Sequence, residues 1–248
     1  MDPFVTPSLT TSLLKVPLLL AHAYFVYYAM TQPRAFLKAD EQKVHERFDF
    51  VDRAIKIHVV FVTASKWFFC GSDLAETAAI LAQHFPSHIS DQVLTFLLPP
   101  TGASLHLTFM STVACVLGIA GGALRVWCHR TLGRNFTWTL SIQEKHELVT
   151  TGPYAIVRHP SYTAWIIMLL GNFALLFSKG SYIVEAGWLA RPSGKIIVSA
   201  VVGYLTCITM ALPLGRAARE DEMLKKEFGK EWMEWAKRTP YLMVPYIY

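Results

Sequence analysis

The sequence predicts an all-α multi-pass membrane protein, with about five transmembrane helices followed by cytoplasmic or interfacial C-terminal helices. Three observations predict it. The 248 residues are 53% hydrophobic and only 17% charged, with a mean hydropathy of +0.33, outside the range of an ordinary soluble domain. The apolar residues fall in runs of about the 20 residues a bilayer-spanning helix needs. The basic residues then alternate from one connection to the next, as the preference for positive charge on the cytoplasmic side requires.

Taken in order, the first run is Val16 to Gln32. Ala21-His22-Ala23 has the form of a signal-peptide cleavage site, yet the chain stays apolar through Tyr24-Phe25-Val26-Tyr27-Tyr28 and its start has no basic cluster. It therefore reads as an uncleaved span. The second, Ile55 to Cys70, contains Lys56 and Lys66, whose long stems can carry the charge to the headgroups. The third run, Gln92 to Leu124, is long enough for a loop broken at Pro99-Pro100 and then a helix. Ser161 to Ser178 and Ile196 to Gly215 complete the set.

Arg34, Lys38, Lys43, Arg47 and Arg53 lie between spans one and two, and Gly71 to Ala103 has no Lys or Arg. Arg125, Arg130, Arg134, Lys145 and Arg158 follow span three, whereas only Lys179, Arg191 and Lys195 separate spans four and five. This pattern puts the N-terminus in the lumen and the C-terminus in the cytoplasm. It divides the chain into a membrane region at 1–103 and a core at 104–248, the latter with a cytoplasmic loop at 125–161 and C-terminal helices at 216–238.

The net charge of +5 is spread between apolar runs rather than gathered in a stripe, so no nucleic-acid partner is expected. Cys70, Cys115, Cys128 and Cys207 have neither zinc spacing nor disulfide-scaffold spacing, and no metal is expected. Asn135-Phe136-Thr137 matches a glycosylation sequon but falls on the cytoplasmic side. Gly118 and Gly122, four apart in span three, mark a close helix contact.

Polar character concentrates in two places. The loop from Arg125 to Tyr162 holds three histidines, Trp127, Trp138 and the turn Gly152-Pro153. Arg158-His159-Pro160 sets a cation and a histidine at a helix N-terminus, which suits an anion such as a ligand carboxylate. After span five, Arg216 and Glu220 share one helical face, Gly229 stops that helix, and Trp232, Trp235 and Tyr241 are spaced to rest at the headgroups.

His146-Glu147-Leu148-Val149, Gly152-Pro153-Tyr154, Arg158-His159-Pro160 and Tyr162, with Arg216, Glu220, Asp221 and Leu224 downstream, resemble the signature of isoprenylcysteine carboxyl methyltransferases. The resemblance covers Gly118 to Pro245; Ala164 departs from the family's glycine, and Trp232 and Trp235 replace tyrosines. It implies C-terminal helices that enclose a pocket for S-adenosylmethionine, lined by His146, Leu148, Val149, Tyr154, Arg158, His159, Pro160, Tyr162 and Glu220. Arg125, Arg216 and Glu220 would serve catalysis, the two arginines by holding the acceptor carboxylate. The implied partners are prenylated protein C-termini or a prenylcysteine-like lipid, in the endoplasmic reticulum membrane. Rival readings are methylation of a phospholipid amine or terpenoid acid, a nicotinamide-dependent membrane reductase, and a lipid-binding scaffold without activity.

Overall fold

The computed structural model describes residues 12–31, 42–43, 49–99, 103–136, 142–143, 146–211 and 215–246. Arg34, Lys38, Arg47, Pro100, Thr137, Trp138 and Lys145 lie outside the described residues.

Nine α-helices are described: α1 (Lys15–Ala29), α2 (Asp49–His84), α3 (His88–Leu97), α4 (Phe109–Leu132), α5 (Pro160–Leu176), α6 (Tyr182–Glu185), α7 (Pro192–Ala211), α8 (Ala217–Phe228) and α9 (Lys230–Arg238). Apart from these and short 3-10 turns, β1 (Gln42–Lys43) and β2 (Ile142–Gln143) form a two-residue antiparallel pairing. The all-α expectation is met.

Local chemistry sets the boundaries. Ser87 and Thr108 cap α3 and α4 through reciprocal hydrogen bonds with Ser90 and Ser111, each satisfying two backbone donors. Pro160 and Pro192 open α5 and α7, positions where a missing N–H costs nothing. Gly133 and Gly229, both at positive φ, follow α4 and α8.

Two sequence-based boundaries need correction. Arg125 lies within α4, which continues to Leu132, so the loop expected at 125–161 starts about two helical turns later. Likewise α2 does not stop at Cys70 but runs 36 residues to His84, about 54 Å at the usual rise. Of the five expected spans, three described helices are long and apolar enough to cross a membrane: Ser12–Ala29, Phe109–Asn135 and Pro192–Thr209; Pro160–Leu176 is apolar but shorter. Asp73 and Glu76 are buried inside α2 instead of in a lumenal loop.

Those charges have partners. Lys15 of α1 meets Glu76 with both side chains almost wholly buried, and its ammonium donates to Gly180 O at 2.9 Å. Glu76 accepts from the Tyr182 backbone N–H at 2.9 Å, and His22 Nδ1 donates to Asp73 Oδ2 at 2.7 Å. Glycines bring α1, α4 and α5 into backbone contact. A Cβ on Gly121 would lie 2.3 Å from Met168 N, one on Gly171 2.3 Å from Gly118 N, and one on Gly122 2.8 Å from Phe25 Cβ. Gly118 and Gly122 thus form the expected interface, with α1 as partner. The main core joins Val26, Val62, Phe69, Trp165, Met168 and Leu205 across four helices. The three buried cysteines and exposed Cys207 are unpaired.

Candidate active site

The segment between α4 and α5 and the tail of the chain fold onto each other. Arg158 N donates to Tyr241 O at 3.0 Å and His159 N to Leu242 O at 2.8 Å, so the residues ahead of Pro160 gain main-chain partners from the C-terminus. Trp235 Nε1 donates to Tyr154 O at 3.0 Å, and Thr163 Oγ1 donates to Met243 O at 2.5 Å. Trp235 is therefore buried in protein, not resting on headgroups as its spacing suggested; an indole N–H needs a partner when buried, and Tyr154 supplies it.

Side chains lock the same contact. Arg158 donates through Nε to Asp221 Oδ2 at 3.0 Å and through Nη1 to Thr239 O and Pro240 O at 3.1 and 2.7 Å. His159 Nε2 donates to Asp221 Oδ1 at 2.9 Å. One carboxylate on α8 thereby fixes both residues of the Arg-His-Pro element, and Arg158 is chiefly engaged in holding the tail. Asp221, named in the motif but absent from the expected site residues, is the side chain whose role sequence reasoning missed. Its signal was its place in that motif, beside Glu220.

Tyr162 links the remaining candidates. Its hydroxyl donates to Glu220 Oε2 at 2.6 Å and accepts from Arg216 Nε at 2.9 Å, while its ring stacks on His159 with centroids 5.4 Å apart. Arg216 and Glu220 meet through this hydroxyl. Arg125 is buried, donating through Nε to Ala29 O at 3.0 Å and through Nη1 to Ser161 O and Oγ at 2.9 Å each, with its guanidinium over Trp165. The geometry brings Arg125, Tyr162, Arg216, Glu220, His159 and Arg158 to one end of the bundle.

A second group lies beside it. Leu148, Val149 and Trp232 pack on Cys128, Tyr154 and Trp235. His146 sits against Phe228, within electrostatic reach of Glu227 and Glu220, and burial lowers its pKa below the ordinary histidine value despite those carboxylates. Burial also holds the Tyr154 hydroxyl well above the ordinary tyrosine value, so it stays protonated. His146 Nδ1 and Trp232 Nε1 are buried without a hydrogen-bond partner. Such atoms each cost about 1–3 kcal/mol, and a bound polar ligand would satisfy them. Among the described residues no His, Cys, Asp or Glu cluster suited to a metal ion is present.

Apolar helices closed at one end by a loop and two amphipathic helices define a helical membrane protein with a candidate ligand site at that end. Residues 113–188 match the isoprenylcysteine carboxyl methyltransferase family. The chain is similar to protein-S-isoprenylcysteine O-methyltransferase B of Arabidopsis thaliana, 31% identical over 134 residues, 53% of this chain and 58% of that protein. It is similar to the Homo sapiens protein-S-isoprenylcysteine O-methyltransferase, 26% identical over 138 residues, 54% of this chain and 41% of that one. A delta(14)-sterol reductase of Mus musculus is 29% identical over 112 residues, 44% of this chain and 22% of its own. The chain spans about half the length of the methyltransferases it matches.

Proposed function

We infer that the chain transfers a methyl group from S-adenosylmethionine to the C-terminal carboxylate of a prenylated cysteine, giving a methyl ester at the cytoplasmic face of the endoplasmic reticulum membrane, with its N-terminus lumenal. One observation carries the reading: the family segment's Arg158-His159-Pro160 and Tyr162 are clamped to Asp221, Glu220 and Arg216 of the tail. The family match and the names of the relatives supply the reaction.

The donor's fit rests on the unpartnered His146 Nδ1 and Trp232 Nε1 beside an apolar wall of Leu148, Val149 and Tyr154. When bound, S-adenosylmethionine supplies an electrophilic methyl on a sulfonium. Glu220, His159, Pro160 and Tyr162 border the same space, and Arg158 keeps the tail closed over it. A carboxylate is ionised at pH 7 and acts as its own nucleophile, so no residue has to remove a proton. Arg125 and Arg216 instead hold the carboxylate in line, their guanidinium groups staying charged where water is scarce. Arg125 offers what its bonds to Ala29 and Ser161 leave, and Glu220 orients Arg216 through Tyr162. Catalysis is then alignment and exclusion of water.

The test is transfer of a labelled methyl from S-adenosylmethionine to N-acetyl-S-farnesyl-cysteine and to phosphatidylethanolamine, in membranes holding the chain. Base-labile label on the farnesylcysteine is expected. Base-stable label on the phospholipid alone, or no transfer to either, would overturn the acceptor.

A further inference from the structure

An acceptor held in the bilayer by its lipid must reach Arg125 and Arg216 from the side, and the seams between helices differ in how they could admit it. Between α1 and α4 a Cβ on Gly118 would lie 2.2 Å from His22 Nε2, and between α4 and α5 a Cβ on Gly121 would lie 2.3 Å from Met168 N. A helix backbone packed this closely on a buried imidazole or on another backbone leaves no width for a hydrocarbon chain, and parting these helices would break close packing. The seam between α1 and α2 is held by the buried Lys15–Glu76 and His22–Asp73 pairs and by Lys66 donating to Thr31 Oγ1 at 3.0 Å.

The helix left is α7. Only 22% of its membrane-length window is buried, with Val198, Leu205 and Thr209 turned inward. It is tied to α5 by a buried hydrogen bond, Trp165 Nε1 to Thr209 Oγ1 at 3.1 Å. Leu205 shares the main core with Val62 and Phe69 of α2, but the polar tie to α2 is only part-buried: His58 Nδ1 and Tyr204 Oη lie 2.9 Å apart, and the Tyr204 ring stacks on Phe61 at 4.6 Å. His58 lies within electrostatic reach of both Arg216 and Arg125. An imidazole and a phenol facing lipid need partners. They satisfy each other when the seam is closed, and a passing amide or carboxylate can replace either one when it opens.

We propose that the acceptor's lipid chain enters laterally between α2 and α7, and that the His58–Tyr204 hydrogen bond is the latch closing this seam beside Arg125 and Arg216. The proposal rests on the carboxyl methyltransferase reading. His58, within electrostatic reach of Arg216 and Arg125, sets one end of the seam beside the arginines, and the largely unburied apolar surface of α7 selects a lipid chain as occupant.

Cys207 supplies the test. It is exposed while the other three cysteines are buried, and it lies one turn from Tyr204 on α7. In the full chain carrying Phe61→Cys, a short reducible bis-thiosulfonate bridges α2 to α7. Methylation of N-acetyl-S-farnesyl-cysteine is expected to fall about tenfold or more on bridging and to return on reduction, with S-adenosylmethionine binding unchanged, as for a closed gate. Full activity in the bridged protein overturns the seam alone; no methylation of farnesylcysteine by the unsubstituted chain overturns the function and the seam's occupant with it. Independently of that variant, a farnesylcysteine analogue with a photoreactive group on its lipid should label α2 and α7 of the unsubstituted chain. Label confined to α1 and α4 would place the path elsewhere.

Discussion

At Asp221 one carboxylate accepts from Arg158 and from His159. Asp221→Asn keeps the shape but removes the charge and one acceptor oxygen, so each bond loses much of the about 1.5–3 kcal/mol that hydrogen bonds to charged groups contribute. The expected outcome is weaker S-adenosylmethionine binding and a lower melting temperature in detergent; unchanged binding would mean that the clamp does not shape the donor site. Tyr162→Phe removes the hydroxyl between Arg216 and Glu220 while the ring can still stack on His159. It should lower kcat/KM roughly tenfold to a hundredfold, from about 1.5–3 kcal/mol, with helicity retained by circular dichroism. His146 gives a pH dependence. Burial lowers its folded value below about 6.5, so below that pH the unfolded or open state binds more protons than the closed one. Its contribution is present above about pH 6.5 and lost as pH falls through the folded value. Donor affinity should weaken on acidification across that window, and His146→Gln should flatten the profile.

Among the elements, α1 and α2 are joined by buried charged pairs as well as by apolar contact. Glu76→Gln leaves Lys15 with carbonyl partners but no counter-charge inside the bundle, a change expected to cost about 3–5 kcal/mol. Lys15→Met combined with Glu76→Leu should recover part of it, since it removes the uncompensated charge. Thermal unfolding in detergent compares them, and equal stability of the single variant and the parent would show the pair to be idle. Where α4 meets α5, Gly121→Ala pushes a methyl against the Met168 backbone, which cannot rotate away; overpacking of about 1–3 kcal/mol is expected. Sequence alone read the Gly118/Gly122 contact because four-residue spacing is local. It did not read the Lys15–Glu76 or His22–Asp73 pairs, since partners so far apart in the chain are joined only by tertiary packing. Asp73 and Glu76, three apart and thus on one helical face, were the available sign that α2 continues past Cys70.

For the molecule as a whole, the apolar runs and the loop motif were legible because composition and short-range spacing carry them. The Arg158-His159-Pro160 element was readable as an anion site, yet its nearest anion is Asp221 of the same chain, a pairing made only when the tail folds back. Trp235 was misplaced for the same reason: aromatic residues near a membrane suit headgroups and protein interiors equally, and only the Tyr154 carbonyl decides between them. The site is thus a property of the closed chain, in which Tyr241 and Leu242 complete the main-chain hydrogen bonding of Arg158 and His159.

The most direct measurement is equilibrium binding of labelled S-adenosylmethionine to the detergent-solubilised chain and to a variant ending at residue 229, which lacks α9 and the tail beyond it. Saturable binding by the full chain, lost in the shortened one while α1 to α8 keep their helicity, is the result this closed site requires. Equal binding by both would contradict it.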